Sequence, residues 1–404
     1  MNFLFNENLN NKKANKASGK YIYIGRKKLL DLSYASGSLL LGHTSNIYKK
    51  SLNKLRNVGS NYSLINNFAE KYSLIIKKIF PEFSKFILCA SGTEANMKAI
   101  RIARAITSKK KIVMISGSWH GSVDELLYTS DDKKLGEKKY LSNGLSNNDR
   151  DTIVIPYNNF IESKKILDKN KEKIALLIAE PIQQALPLLR AEAYIKSIVR
   201  YCRQNKIIMC FDEMITGMRL PELSVYKKIK MPPDILTFGK ILGGGAPIGV
   251  IGIKKKIEKS LKKKNNYVFL GGTYSLNPFS SYLGTNTIKY ILKNRVKIYK
   301  KLDKLSGILA NKLNEFIKEK KLDVSIIRYS SILRIIFTKK KIDNKLQKEI
   351  EEFKNIKKIK KFHEYVFKKN IFLSKNGAIF LSNKNSIKDI NYILKVFKSG
   401  LKNF

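Results

Sequence analysis

Residues 233–245 read Pro-Asp-Ile-Leu-Thr-Phe-Gly-Lys-Ile-Leu-Gly-Gly-Gly, and the interpretation of the chain starts from this stretch. The apolar run Ile235–Phe238 predicts a buried strand that ends just before Lys240, and three glycines begin at Gly243. A lysine amine forms a Schiff base with a carbonyl once it has lost its proton. Glycines beside it let the backbone approach a bulky ligand closely. Lys240 is therefore a candidate catalytic residue; the alternative is a surface lysine before a flexible turn.

Short apolar runs alternate with amphipathic helical patterns on both sides of this stretch, between about residues 85 and 255. Strands this apolar are buried on both faces, as in a mostly parallel sheet with helices on each side. We therefore predict an α/β fold with a mostly parallel, seven-stranded sheet flanked by helices. The predicted strands are Phe86–Ala90, Ile112–Ile115, Ile153–Ile155, Ile174–Ala179, Ile207–Phe211, Ile235–Phe238 and Ile248–Ile253. In such sheets ligands bind at the carboxyl ends of the strands.

The pattern also predicts how the chain is divided. Residues 1–45 form an N-terminal segment that joins a small domain, residues 46–290 form the large domain, and residues 291–404 form the C-terminal, α+β part of the small domain. In that last part, Leu333–Phe337 and Ala378–Leu381 are candidate strands.

Composition narrows the class of protein. The 404 residues are 43% hydrophobic, as in a globular protein with a substantial core. The net charge of +47 would suit a nucleic-acid-binding module, which is the alternative function class, but the lysines are spread over the whole chain without a supporting motif. No apolar run approaches the roughly 20 residues of a membrane span, and the N-terminus lacks the order of a secretory signal. We predict a cytoplasmic protein without a nucleic-acid or membrane partner, and the isolated histidines predict no metal site.

A predicted strand meets a predicted helix at residues 90–95, which read Ala-Ser-Gly-Thr-Glu-Ala. Ser91, Gly92 and Thr93 would therefore sit at a helix start, with free backbone N–H groups and hydroxyls. A helix N-terminus of this kind binds phosphate. The alternative is an ordinary helix cap followed by Glu94.

Two carboxylates follow apolar strands. Asp212 comes directly after the run that ends at Phe211, so it is expected to be partly buried and to need a partner such as a protonated ring nitrogen. Glu180 follows the run that ends at Ala179. The alternatives are a helix cap for Asp212 and an exposed turn for Glu180.

Two further stretches contain candidate ligand-binding side chains. Trp119 precedes His120 in Ser-Trp-His-Gly and could stack on a ring, although a lone tryptophan is more often part of a core. Thr273 follows two glycines, and its hydroxyl could reach a phosphate, although most such strings are only turns.

In their order along the chain, these features resemble the class III, fold-type I pyridoxal-phosphate enzymes, and most closely the glutamate-1-semialdehyde 2,1-aminomutases. The likeness runs from about Leu29 to Ser382. It is strongest in Ser91–Arg104, Phe211–Arg219, Asp234–Gly249 and Thr273–Pro278. The resemblance implies that the large domain binds pyridoxal 5'-phosphate.

The resemblance also implies roles for individual residues. Lys240 would bind the cofactor as a Schiff base, and Asp212 would face the pyridine nitrogen. Gly92 and Thr93, with Ser91 beside them, would hold the phosphate.

Further roles follow from the same likeness. Trp119 would take the position of the family's stacking aromatic, and Met214 would pack on the opposite ring face. Thr273 matches a threonine that reaches the phosphate of a neighbouring subunit, which implies a homodimer. Glu180 and Glu94 match positions near the cofactor and substrate, and His120 would support the ring.

The residues expected around the substrate differ from the aminomutase pattern. Ser36 stands where that subgroup has an active-site aromatic, and Gly377 stands where it has a glutamate. We therefore predict an aminotransferase that passes an amino group from a small amine to a small carbonyl compound through the pyridoxamine form of the cofactor. Intramolecular transfer by an aminomutase is the alternative, and a decarboxylase or epimerase on the same fold stays open. Arg219 and Arg334 are candidate carboxylate partners, with a structural role as the stronger expectation for each.

Overall fold

The structure, a computed structural model, describes residues 13–130, 138–145, 151–263, 267–374 and 376–402. The first seven residues, on which the prediction about a secretory signal rests, lie outside this part. Within these ranges no helix combines the length and the apolar character that crossing a bilayer requires.

A seven-stranded sheet forms the centre of the molecule, and the predicted α/β fold with its mostly parallel sheet is confirmed. Only the strand Gly249–Ile253 runs antiparallel to its neighbours. The connection before it is too short for the dozen or more residues that a parallel crossover needs. In spatial order the strands are Lys85–Cys89, Gly249–Ile253, Ile235–Gly239, Ile208–Asp212, Ile174–Ala179, Lys111–Ile115 and Thr152–Ile155.

Helices cover both faces of this sheet. The helix Gly92–Thr107 shows why they form, since Ala95, Ala99 and Ile102 recur on one buried face and Ser91 caps the N-terminus. The other α-helices before residue 294 are the single turn Tyr34–Gly37 and the longer Asn46–Leu55, Asn67–Ile79, Phe160–Asp168, Ala191–Gln204, Val225–Ile229, Lys255–Leu261 and Pro278–Lys293. A small hairpin pairs Tyr128–Ser130 with Lys138–Tyr140.

The C-terminal part contains the 25-residue helix Arg295–Glu319 and a three-stranded antiparallel sheet. The strands of that sheet, in spatial order, are Ser325–Tyr329, Ile332–Ile336 and Ala378–Phe380. The remaining helices are Lys345–Lys354, Ile356–Lys368 and Ile387–Leu401.

Strands from the N-terminal and C-terminal parts of the chain pair in a four-stranded sheet. Here Ile371–Phe372 pairs in parallel with Lys27–Asp31, so that Ile371 lies opposite Leu30. The other two strands are Lys16–Ser18 and Tyr21–Ile24. The division of the chain into domains stays a prediction.

Side chains alternate between two apolar clusters on opposite faces of the central sheet. Val113 and Leu177 belong to one cluster, whereas Ile112 and Leu176 belong to the other. This period of two follows from the pleat of a strand. Because both faces are covered, polar groups are accommodated at the strand ends, and the carboxyl edge of the sheet is where the candidate site forms.

Candidate active site

A cavity of about 420 Å³ opens at the carboxyl edge of the central sheet. The residues that line it come from strand ends, from the first turns of a helix and from loops far apart in sequence. They are Ser36, Gly92, Thr93, Asn96, Trp119, His120, Gly121, Glu180, Gln184, Asp212, Met214, Ile215, Lys240, Ile248 and Asn376.

Lys240 enters the cavity from the turn that follows the strand Ile235–Gly239. Its backbone lies in the left-handed region, with a φ of 48°, which sterics disfavour for a residue with a side chain. Burial lowers the pKa of its amine, and the charges of Asp212 and Glu180 partly oppose that shift. The fold therefore favours the unprotonated, nucleophilic amine more than water does.

Asp212 is held in place by three donors and is 3% exposed. Its Oδ2 atom accepts a 2.8 Å hydrogen bond from Asn96 Nδ2 and lies 2.8 Å from His120 Nδ1. Its Oδ1 atom accepts from the backbone N–H of Met214 at 3.0 Å. The contact with Met214 is of the kind that a helix cap makes, but no helix follows, since residues 214–220 form turns and a bend.

Asn96 connects Asp212 to the strand that leads to Lys240. Its Oδ1 atom accepts a 2.7 Å hydrogen bond from the Thr237 hydroxyl, and its Nδ2 atom also donates to the carbonyl of His120 at 2.9 Å. The side chain is 1% exposed. Asn96 was missed by the sequence reasoning, although its position one helical turn after Thr93 places both on the same face.

The first turn of the helix Gly92–Thr107 points into the cavity at Gly92 and Thr93. Ser91 does not line the cavity, and its hydroxyl accepts from the backbone N–H of Glu94 at 3.1 Å, as in the cap alternative. The Thr93 hydroxyl accepts from the N–H of Ser122 at 3.2 Å. Gly121, at a φ of 84°, passes so close to Thr93 that a Cβ there would collide with the Thr93 hydroxyl. Small residues thus keep this helix start open.

Glu180 is buried, so the exposed-turn alternative is wrong for it. Its two oxygens accept from the backbone N–H groups of Trp119, at 2.7 Å, and Gln184, at 3.1 Å. Burial raises the pKa of Glu180, with the negative charge of Asp212 adding to the rise. Trp119 is 58% exposed at the cavity and is not a core residue. Glu180 therefore positions the Trp119 segment.

Besides Ser91, two more of the predicted site residues lie outside the cavity. Glu94 pairs with Lys98 at 2.5 Å and accepts from the Ser275 hydroxyl at 3.2 Å, so it ties the helix start to the turn that carries Thr273. The Thr273 side chain is exposed, and its carbonyl accepts from Asn61 Nδ2 at 2.8 Å.

Ser36, Asn376 and Trp119 are the exposed residues of the cavity lining and therefore mark its mouth. Tyr34, Ala35 and Ser36 have φ angles of 45°, 50° and 55°, so the chain makes a left-handed turn there. Three successive residues in this region are costly, and such strain concentrates at ligand sites.

One buried atom at the cavity wall has no partner. The Nε2 atom of His120 makes no hydrogen bond to the described residues, while its Nδ1 atom faces Asp212. Buried polar atoms are normally paired, so this nitrogen is available to a ligand in the cavity.

The cavity brings together nine of the twelve site residues predicted from sequence; Ser91, Glu94 and Thr273 are the other three. Besides Asn96, the residues that sequence reasoning did not name as site residues are Gly121, Gln184, Ile215, Ile248 and Asn376. Gly121 ends the Ser-Trp-His-Gly stretch and Ile215 follows Met214, so both are close to residues that were predicted. No motif around Gln184 or Ile248 indicates a place in the cavity lining.

Known proteins are similar to this chain in sequence. A family model described as aminotransferase class-III matches residues 6–362. The chain is 31% identical over 392 residues to a glutamate-1-semialdehyde 2,1-aminomutase of Nitrosopumilus maritimus, covering 96% of this chain and 91% of the relative. It is 32% identical over 396 residues to the enzyme of the same name from Wigglesworthia glossinidia brevipalpis, covering 95% and 90%.

Solved structures share the fold. An omega-transaminase from Sphaerobacter thermophilus matches with a TM-score of 0.89 at 19% identity, over 96% of this chain and 90% of that one. A glutamate-1-semialdehyde-aminomutase from Pseudomonas aeruginosa in complex with PMP matches with a TM-score of 0.85 at 16% identity, over 96% and 87%.

Proposed function

Because this chain belongs to the class-III aminotransferases, we propose that it catalyses amino transfer on small molecules with pyridoxal 5'-phosphate, and that Lys240 binds this cofactor covalently. The observation that carries the proposal is a buried lysine with a lowered pKa that shares one cavity with the fixed carboxylate of Asp212.

The residues present fit this cofactor. The open helix start at Gly92 and Thr93 offers backbone N–H groups to a phosphate. Met214 lies against Gly92, where a Cβ would be 2.9 Å from its sulfur, so Met214 provides an apolar surface beside the helix start. Trp119 provides an aromatic face, and the unpaired Nε2 atom of His120 offers a hydrogen-bonding group at the wall.

Each residue then has a chemical task. The cofactor, when bound, supplies an electron sink that lets a proton leave the substrate carbon. Asp212 would favour a proton on the ring nitrogen of that cofactor, and this charge would strengthen the sink. Lys240 would hold the cofactor and, as a general base and acid, would move a proton at the substrate carbon.

Which reaction follows depends on where the amino group goes. The curated relatives named above are aminomutases that match more than nine-tenths of this chain, and this favours intramolecular transfer as the first candidate. In that case one small substrate receives its own amino group back at a neighbouring carbon.

Transfer between two molecules is the second candidate. It is favoured by the mouth of the cavity, where Ser36 and Asn376 are small and polar and Gly377 carries no carboxylate. A mouth of this kind differs from the pattern that the aminomutase likeness implies, and it leaves room for a different substrate.

Steady-state turnover with and without an added amino donor separates the two. An aminomutase converts glutamate-1-semialdehyde without any second substrate. An aminotransferase converts a carbonyl compound only when glutamate, alanine or another donor is consumed in equal amount. Failure of both assays, together with failure of Lys240 to take up the cofactor, would contradict the proposal.

We also propose that the protein acts as a homodimer in which Thr273 reaches the phosphate of the partner subunit. The Thr273 side chain is exposed and lies outside its own cavity. Exposed apolar side chains accompany it on neighbouring loops, namely Leu64, Ile65, Tyr267, Phe269 and Tyr274. Sedimentation equilibrium gives the test: a dimer is expected, with the Thr273→Ala variant remaining dimeric but binding the cofactor more weakly. A monomer with full activity would contradict this proposal.

A further inference from the structure

Arg334 is a buried cation with almost no partners. Its side chain lies on the central strand of the three-stranded sheet and is 3% exposed. Its Nε atom donates to the carbonyl of Ala185 at 3.0 Å, whereas its Nη1 atom has no hydrogen-bond partner among the described residues. Burial lowers the pKa of this guanidinium to about 10, and the negative charges of Glu352, Glu180 and Glu349 partly oppose the shift. A buried charge in this state is costly, and it persists where it has a use.

Three observations place Arg334 near residues that line the cavity. Its one hydrogen bond goes to Ala185, the residue after the cavity-lining Gln184. It pairs in register with Ala378, two residues after the cavity-lining Asn376. On the same face of its strand, Ile332 belongs to the small apolar cluster that contains Ile215, which also lines the cavity.

The cavity itself contains few cations. Among the residues described as lining it, Lys240 alone carries an amine or guanidinium, and this group is reserved for the cofactor. A substrate that bears a carboxylate would therefore need a cation from the surrounding wall.

We propose that Arg334 recognises the carboxylate of the substrate or amino donor, reaching it between Gln184 and Asn376. The planar guanidinium can bind both oxygens of a carboxylate at once. Reaching forward would cost one hydrogen bond, to Ala185, which the carboxylate more than replaces. This inference rests on the proposed function and adds the residue that would hold a carboxylate of the substrate.

Arg219, the other buried arginine near the site, is less free to move. Its Nη1 atom donates to the Ser331 hydroxyl and the Leu381 carbonyl at 3.4 Å, and its Nη2 atom donates to the carbonyl of Gly37. Its guanidinium lies 5.1 Å from the ring of Phe380. These contacts span the large sheet region, the left-handed turn and the C-terminal sheet, as a structural residue would.

Trp119 provides a direct binding readout, because it is the single tryptophan of the chain and lines the cavity. The test titrates the cofactor-loaded enzyme with glutarate, which carries carboxylates but no amine, and follows the fluorescence of Trp119. The wild type is expected to bind glutarate saturably. Arg334→Gln, which can still donate to Ala185, is expected to bind it roughly 10- to 100-fold more weakly. Arg334→Lys keeps the positive charge but lacks the paired N–H donors of the guanidinium, so its affinity for glutarate should lie between those of the wild type and Arg334→Gln.

Arg328→Gln is the matched control, since Arg328 lies in the adjacent strand and pairs with Asp303 at 2.7 Å, away from the cavity. It should bind glutarate like the wild type. The reaction of the cofactor-loaded enzyme with an amine gives a second readout. At low amine concentration, the rate of this reaction should fall in Arg334→Gln with 4-aminobutyrate but not with n-butylamine, which has no carboxylate.

Unchanged glutarate binding in Arg334→Gln and Arg334→Lys would overturn the inference, and so would a wild type that does not bind glutarate. If Arg334→Gln does not fold, as judged by its thermal transition, the Lys variant decides alone. In either event covalent attachment of the cofactor at Lys240 would leave the proposed amino transfer intact. Loss of that attachment in the wild type would instead remove the proposed function itself.

Discussion

His120 and Asp212 form a buried pair in which Nδ1 of the imidazole lies 2.8 Å from Oδ2 of the carboxylate. Asn96 donates to the same oxygen, and the Met214 N–H donates to the other. The carboxylate is thus fixed before any ligand binds, and its orientation is set by residues from three separate segments. Preorganised charge of this kind acts on a bound group without further rearrangement.

Asp212→Asn should separate cofactor binding from catalysis. The amide keeps the size of the side chain but removes the negative charge that favours a proton on the ring nitrogen. We expect covalent uptake at Lys240 to persist and the rate of the amine half-reaction to fall by roughly 100-fold. Stopped-flow absorbance of the cofactor band measures this rate. Asp168→Asn, on an exposed helix end, is the control, and equal rates in the two variants would contradict the role of Asp212.

Asn96→Ala tests the link between Asp212 and the strand before Lys240. The substitution leaves the buried Thr237 hydroxyl without its 2.7 Å acceptor and takes a donor from Asp212. Leaving buried groups unsatisfied should lower the free energy of unfolding by about 2 kcal/mol. Urea unfolding of the cofactor-free protein measures the change. A free energy of unfolding equal to that of the wild type would show that this network contributes nothing to stability.

Gly121→Ala should weaken cofactor binding by closing the helix start. A Cβ at this position would collide with the Thr93 hydroxyl, and the φ of 84° also disfavours any side chain. Gly25→Ala serves as the control, because its φ is 58° but no atom lies within 4 Å of the added Cβ. Both variants should lose about 1 kcal/mol of stability from backbone strain. Only Gly121→Ala should raise the dissociation constant for the cofactor. Equal cofactor affinities in the two variants would contradict phosphate binding at this helix start.

The lowered pKa of Lys240 predicts a specific pH dependence of stability in the cofactor-free protein. The folded state releases this proton below the ordinary pKa of 10.5, so the unfolded chain binds more protons in the window between the two values. Stability must therefore rise with pH across that window. Lys240→Met has no amine to titrate at this position. We expect the variant to be more stable than the wild type at lower pH, and the difference in their free energies of unfolding should shrink as the pH rises toward 10.5. A difference between the two proteins that does not change with pH would contradict the burial of a titrating amine.

Much of the fold could be predicted because buried strands are locally apolar. The seven predicted runs all became strands of the central sheet, with ends displaced by a residue or so. The reversed direction of Gly249–Ile253 was not predicted, since the hydrophobic pattern of a strand is the same in either direction.

The site was partly predictable for a related reason. Lys240, Asp212 and Glu180 each follow an apolar strand, and the sheet brings such ends to one edge. Gln184 and Asn376 could not be placed from sequence, because loops bring them to the cavity and loop paths leave no periodic signal. The buried position of Arg334 was likewise hidden, since an arginine within an apolar strand is compatible with either an exposed or a buried face.

The central claim is that Lys240 is the single point of covalent attachment, and borohydride reduction after incubation with pyridoxal 5'-phosphate tests it most directly. Peptide mapping should find one stoichiometric label at Lys240 in the wild type. Lys240→Ala should lose that label and all turnover, whereas Lys254→Ala, which removes another lysine of lowered pKa outside the cavity lining, should keep both. A label spread over other lysines, or a Lys240→Ala variant that turns over at the wild-type rate, would contradict the account.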